Sequence, residues 1–142
     1  MSILSLYKTN IPKPFQLPPE LLTGVGAIDE EHRLLIAQLD YLRKAKDQTV
    51  DSEIMGECAH VIGRALMDHF KSEEEIMKRS TMPVDEVQRH IQEHGRIIEE
   101  YVALQGTIMT MPRTKISDVT QTIENWIIGH AAVFDVPIKQ YL

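Results

Sequence analysis

Cysteine is nearly absent from this 142-residue chain, and the single one, Cys58, excludes an internal disulfide and any cysteine-rich zinc site. Basic residues are outnumbered, 15 Lys and Arg against 21 Asp and Glu, for a formal net charge of -6. No cluster of Lys and Arg stands against that balance, so the chain lacks the electrostatic footprint for phosphate backbones and nucleic acid is not an expected partner. No run of about 18 apolar residues occurs, and the N-terminus has no basic segment ahead of its short apolar patch. No membrane span or secretory leader is expected, and the chain reads as cytoplasmic. Internal repeats and low-complexity tracts are also missing.

What is there is the composition of one soluble domain, 43% hydrophobic with seven glycines and seven prolines. A chain of this length buries roughly two-thirds of the surface it exposes when unfolded, so its core needs neither a disulfide nor a structural metal. A metal here would point to function. Pro12, Pro14, Pro18 and Pro19 follow one another closely, each fixing the backbone and lacking a donor, and residues 1–27 read as an extended arm. Residues 28–142 form a second unit, in which apolar residues recur at three- and four-residue spacing.

Four amphipathic segments are expected. The first runs from about Asp29, placed to cap it, to Lys46, and the second from about Ser52 to Arg79 with Gly63 tolerated inside it. The third runs from about Val84 to Thr107 after a Pro83 start signal, and the fourth begins at about Ser117. Four helices of similar length with short connections predict an all-α, up-down-up-down four-helix bundle.

Five of the six histidines fall on the inner faces. His69 and Glu73 are four residues apart, so they project from one face a turn from each other; His90 and His94 stand in the same relation. His32 lies on the apolar stripe of the first helix and His130 on that of the fourth. His60, nine residues before His69, falls on the opposite side at about 100° per residue and is expected to face solvent. Cys58 returns to the inner face about three turns away, too distant for a ligand, and reads as a small buried hydrophobe. One inward histidine alone is an ordinary hydrogen-bonded core residue, and Glu73-Glu74-Glu75 alone is a solvated face. Five imidazoles packed in one interior are different, because without a cation many donors and acceptors would go unpaired. Imidazole with carboxylate and no thiolate suits iron, zinc, copper or manganese, and five histidines exceed what one tetrahedral zinc uses. Two metals are the more economical reading, with Glu73 a candidate bridge.

Four segments then resemble the hemerythrin family, in particular the bacterial hemerythrins: Asp29-Glu-Glu-His32, His69-Phe-Lys-Ser-Glu73-Glu74-Glu-Ile-Met77, His90-Ile-Gln-Glu93-His94 and Trp126-Ile-Ile-Gly-His130-Ala-Ala-Val-Phe-Asp135. The resemblance covers about Ile28 to Leu142, and the family supplies one of the known examples of the bundle topology already read from the helices. It implies a non-haem di-iron site, oxo- or hydroxo-bridged, with His90, His94 and His130 on one iron and His32 and His69 on the other. Glu73 and Asp135 would bridge the pair. Asp135 is nominated by resemblance alone, since five residues from His130 turn it about 140° around an ideal helix. Met82 departs from the family, where a tyrosine often stands before the position of Pro83, and this bears on pocket polarity or access. Trp126 and Ile127 would line the O2 side of the pocket.

The implied function is reversible O2 binding at the iron carried by His32 and His69, which keeps an open coordination position. It would serve O2 carriage or storage, or an oxygen or redox sensor that signals to an output domain or partner protein. Imidazole-rich iron behind an apolar wall favours binding over turnover, so the chain is not expected to be an enzyme. A di-iron enzyme acting on peroxide or nitric oxide is the alternative.

Overall fold

The computed structural model describes residues 18–45, 52–108, 110–112 and 115–142, and every helix in it follows an apolar stripe legible in the sequence. We label the helices α1 (Gly26–Ala45), α2 (Ser52–Arg79), α3 (Val84–Ile108) and α4 (Ile116–His130). A π-helical turn, Ala131–Asp135, continues α4 and passes into a 3-10 turn, Val136–Tyr141. Contacts join α1 to α2, α2 to α3, α3 to α4 and α4 back to α1, which closes the ring of a four-helix bundle. Among the described residues there is no strand, and no helix is long and apolar enough to cross a membrane.

The entry to the bundle departs from the sequence reading. Residues 1–17 of the expected arm lie outside the described residues, but the segment after them is not extended. Pro19–Leu21 makes a single 3-10 turn packed against the π turn, Leu21 and Thr23 are buried, and α1 starts at Gly26. Asp29 therefore does not cap the helix. From the first turn its Oδ1 accepts from the Thr23 amide and hydroxyl, both at 2.8 Å, and its Oδ2 accepts from the Gly24 amide at 3.3 Å. The Thr23 hydroxyl in turn accepts from the Val25 N–H at 3.1 Å. Gly24 has φ +83°, a left-handed conformation that side chains resist, and this bends the chain into the helix.

The apolar residues form two clusters. The larger spans Leu35 to Leu42 on α1, Met55 to Phe70 on α2, Ile97 to Ile108 on α3 and Ile116 to Ile127 on α4. The smaller joins Met77, Met82, Val87 and Ile138 around the α2–α3 turn. The chain end is held there too: the Thr81 amide and hydroxyl donate to the Tyr141 carbonyl at 3.2 and 3.1 Å, and the Tyr141 hydroxyl donates to Glu86 Oε2 at 2.7 Å. His32, His69, Glu73, His90, His94 and His130 occupy the level between the clusters. His60 is exposed and Cys58 is buried, as the helix phase predicted; burial pushes the Cys58 thiol up to about 11 and keeps it protonated.

Gly63 has a packing reason inside α2. The Tyr101 ring of α3 lies over it, and the Tyr101 hydroxyl donates to the Ala59 carbonyl one turn away. A Cβ at position 63 would stand 2.8 Å from Tyr101 Cε1. Overpacking of that kind costs about 1–3 kcal/mol, against about 1 kcal/mol gained from the better helix propensity of alanine. Gly63→Ala is expected to lower stability in urea unfolding despite that propensity; a variant as stable as the parent would show that the ring can move aside.

Candidate metal centre

Seven side chains named from the sequence converge on one buried space. α1 supplies His32, α2 supplies His69 and Glu73, α3 supplies His90 and His94, α4 ends on His130, and Asp135 closes the π turn. All seven are buried, and Glu73 and Asp135 have no solvent exposure. The i and i+4 spacing on α2 and α3 does what helix geometry requires and stacks each pair on one face. Asp135 arrives by another route. The Val136 N–H bonds to the Ala131 carbonyl five residues back. In so wide a turn the fifth residue comes round close to the first, which carries Asp135 back beneath His130. Pro137 then lacks the N–H that continuing the helix would use, and the chain tightens into the 3-10 turn.

The donors sort into two groups that share both carboxylates. Glu73, His90, His94, His130 and Asp135 have ligand atoms within 4.8 Å of one another, and so do His32, His69, Glu73 and Asp135. Each carboxylate turns one oxygen to each group. Glu73 Oε1 lies 3.0 Å from His90 Nε2 and 3.1 Å from His94 Nε2, while Oε2 lies 2.9 Å from His69 Nε2. Asp135 Oδ1 lies 2.9 Å from His130 Nε2 and 3.0 Å from His90 Nε2, while Oδ2 lies 2.7 Å from His32 Nε2. Two oxygens spread over two sets of imidazoles is the geometry by which a carboxylate spans two cations.

The proton arrangement fits a cation at each position. His69 Nδ1 is 3.1 Å from Glu31 Oε1, and His94 Nδ1 is 2.9 Å from Glu74 Oε2. A carboxylate only accepts, so in each ring Nδ1 carries the hydrogen and a neutral imidazole offers a bare lone pair at Nε2. Both lone pairs face the carboxylate oxygens of Glu73, acceptor against acceptor. His94 Nε2 is also 3.0 Å from His130 Nε2, which is itself 3.0 Å from His90 Nε2. His69 Nε2, Glu73 Oε2 and both Asp135 oxygens are buried without a hydrogen-bond partner. Orphaned groups of this kind are costly to bury, and a cation between them satisfies all of them at once.

Without a metal, extra protons take that place. Burial alone would lower the imidazole of His32, but hydrogen bonds to Asp135 and Glu73 outweigh it and raise the group from 6.5 to about 9. His130 rises to about 9 against burial for the same reason, and His69 through Glu31 and Glu73. Burial would raise Glu73 and Asp135, yet the surrounding histidines hold both carboxyls below their ordinary 4.5 and 3.8.

Several participants escaped the sequence reading. Phe70 stacks on His94, with ring centroids 3.9 Å apart and planes 9° from parallel, and Glu31 approaches His69 from α1. Each is the sequence neighbour of a predicted ligand, which is the only local signal either carries. Phe134 stacks on His130 with ring centroids 5.1 Å apart. Ile127 is buried in the larger core cluster and Trp126 packs half-buried against it. Met82 lines a cavity of about 340 Å³ with His90, Phe134 and Tyr141.

A family model described as the hemerythrin HHE cation binding domain matches residues 23–135. Comparison with curated proteins and with solved structures gives no match.

The protonation pattern sets a pH dependence. The raised histidines stabilise the metal-free fold fully below 6.5, and this is lost as pH rises through about 9. The lowered carboxyls stabilise it above about 4.5, and this is lost on further acidification. The metal-free protein should therefore have its highest Tm between these limits and a falling Tm toward pH 9 and above. Metal competes with the same protons, so its affinity should rise over the 6.5 to 9 interval with proton release on binding. A metal-free Tm that stays level through that interval would contradict the assignment.

Proposed function

The chain belongs to the hemerythrin family, and from that premise we propose that it binds O2 reversibly at a non-haem di-iron centre. The observation that carries this reading is the unequal division of the donors. Both positions share Glu73 and Asp135, but one adds three imidazoles and the other only His32 and His69. The position with one donor fewer is the one with room for an exogenous ligand. Iron is favoured over the other imidazole and carboxylate metals by the family's site, and two ferrous ions would supply two electrons and a free coordination position for O2.

The protein's own groups do the rest. Glu73 and Asp135, both without solvent exposure, hold the two positions at a fixed separation and offset their charge. Phe70 and Phe134 pack against His94 and His130 and keep the imidazole rings from turning. Among the described residues the only fully or nearly fully buried acids are Glu73 and Asp135, each already spanning both donor groups. No further buried carboxyl stands ready to deliver a proton for O–O cleavage, which supports binding over turnover. Carriage, storage and sensing all draw on the same centre; sensing adds an output domain or partner protein.

Iron content and an optical spectrum through one O2 cycle test the reading. The anaerobically reduced protein should hold two irons, develop a visible band on exposure to O2 and lose it when O2 is removed. A band that forms once and does not reverse favours redox sensing or enzymatic turnover. His94→Ala should abolish stoichiometric iron and His60→Ala should leave it intact; equal loss in both, or in neither, would refute the site.

A further inference from the structure

Two half-exposed glutamates touch the centre from outside its ligand set. Glu31 on α1 reaches across to His69 on α2, and Glu74 on α2 reaches across to His94 on α3. Their side chains are 32% and 24% exposed, against 2% and 3% for the imidazoles they meet. The two partners fall one in each donor group, His69 among the four and His94 among the five. Nδ1 of His32 and Nδ1 of His130, by contrast, are buried with no partner.

From this pattern we infer that Glu31 and Glu74 are positioning residues, one for each metal position. They fix His69 and His94 in the tautomer, and at the ring angle, that aims an Nε2 lone pair into the centre. The inference rests on the two-metal reading above and adds which residues outside the ligand set govern each metal. Three physical points carry it. A carboxylate can only accept, so it places the ring hydrogen on Nδ1 and frees Nε2. The negative charge behind the N–H makes Nε2 a stronger donor to a metal. The ring torsion of a histidine is broad, so without a partner the angle is left to packing.

Packing is unequal between the two rings. Phe70 lies flat on His94, with centroids 3.9 Å apart and planes 9° from parallel, but stands 5.7 Å from His69 and tilted by 44°. His69 therefore depends more on Glu31 than His94 does on Glu74. The group around His69 also has one donor fewer to lose. Glu74 opens onto a groove between α2 and α3 of about 400 Å³, lined in part by Met67, Lys71 and Ile91. Glu74 itself is not a member of the larger cluster.

The test uses the full chain and its Glu31→Ala, Glu31→Gln, Glu74→Ala and Glu74→Gln variants, with the exposed neighbour Glu75→Ala as control. Each is loaded anaerobically with ferrous iron, challenged with increasing chelator and assayed for metal retained. Zinc-loaded forms are read by NMR for the exchange-protected imidazole N–H signals. Wild type should hold two metals. Glu31→Ala should release one of them about 10- to 100-fold more readily while keeping the other, the usual effect of losing such a partner. Glu74→Ala should weaken the other metal by a smaller factor. In each alanine variant one protected N–H signal should disappear. The glutamine variants, whose side-chain carbonyl still accepts from Nδ1–H, should recover the signal and part of the affinity; Glu75→Ala should match wild type. Alanine variants that hold both metals as tightly as wild type, or that lose both together, overturn the positioning roles and leave the two-metal reading standing. A wild-type protein that holds fewer than two metals overturns both.

Discussion

An ionised carboxylate removed from water loses several kcal/mol of solvation unless positive charge or a full set of donors meets it. Glu73 and Asp135 are both fully buried, close to each other and surrounded by five imidazoles. Neither could be kept in a metal-free apolar core. Their burial requires either that the histidines carry extra protons or that cations lie between the rings. The same pairs therefore determine the charge state of the site, its response to pH and its capacity for metal.

The bundle is organised around that requirement. The level of histidines and carboxylates interrupts the apolar interior, leaving a large cluster on one side and a small one around Met77, Met82, Val87 and Ile138 on the other. The small cluster alone would be a weak foundation for Asp135. It is reinforced by the chain end, where Tyr141 ties to Thr81 and Glu86 across the α2–α3 turn. Those bonds hold the 3-10 turn, the 3-10 turn holds the π turn, and the π turn delivers the second carboxylate. At the other end of the same region, Leu21 packs in from the entering segment and Asp29 pins Thr23 and Gly24, so residues 19–21 meet the π turn near the site.

Much of this was legible because helices are periodic. The i and i+4 pairs His69 with Glu73 and His90 with His94 follow from pitch alone, as does the outward placement of His60. Helix limits agree with the sequence reading to about a residue, except at α1. There a buried Thr23 and a left-handed Gly24 decide the start, and Asp29 serves the loop and not the cap. Asp135 broke the periodic rule, because a π turn changes the number of residues per turn and nothing local in Ala131–Asp135 announces it. Family resemblance nominated it where spacing could not, and the structure places its carboxylate against His32, His90 and His130.

The sequence by itself determined four amphipathic helices, their order, and which of their faces carry histidine and carboxylate. These are consequences of covalent spacing and helical pitch, which act within a few residues. The division of the donors was already implied by the family resemblance, but only the tertiary structure set the geometry behind it, with one oxygen of each carboxylate turned to each group. It alone placed Glu31 against His69, Glu74 against His94 and Phe70 flat on His94. Contacts between helices depend on the rotation and depth at which each helix packs, and those are set by all four apolar faces together. No one stretch of chain contains that information.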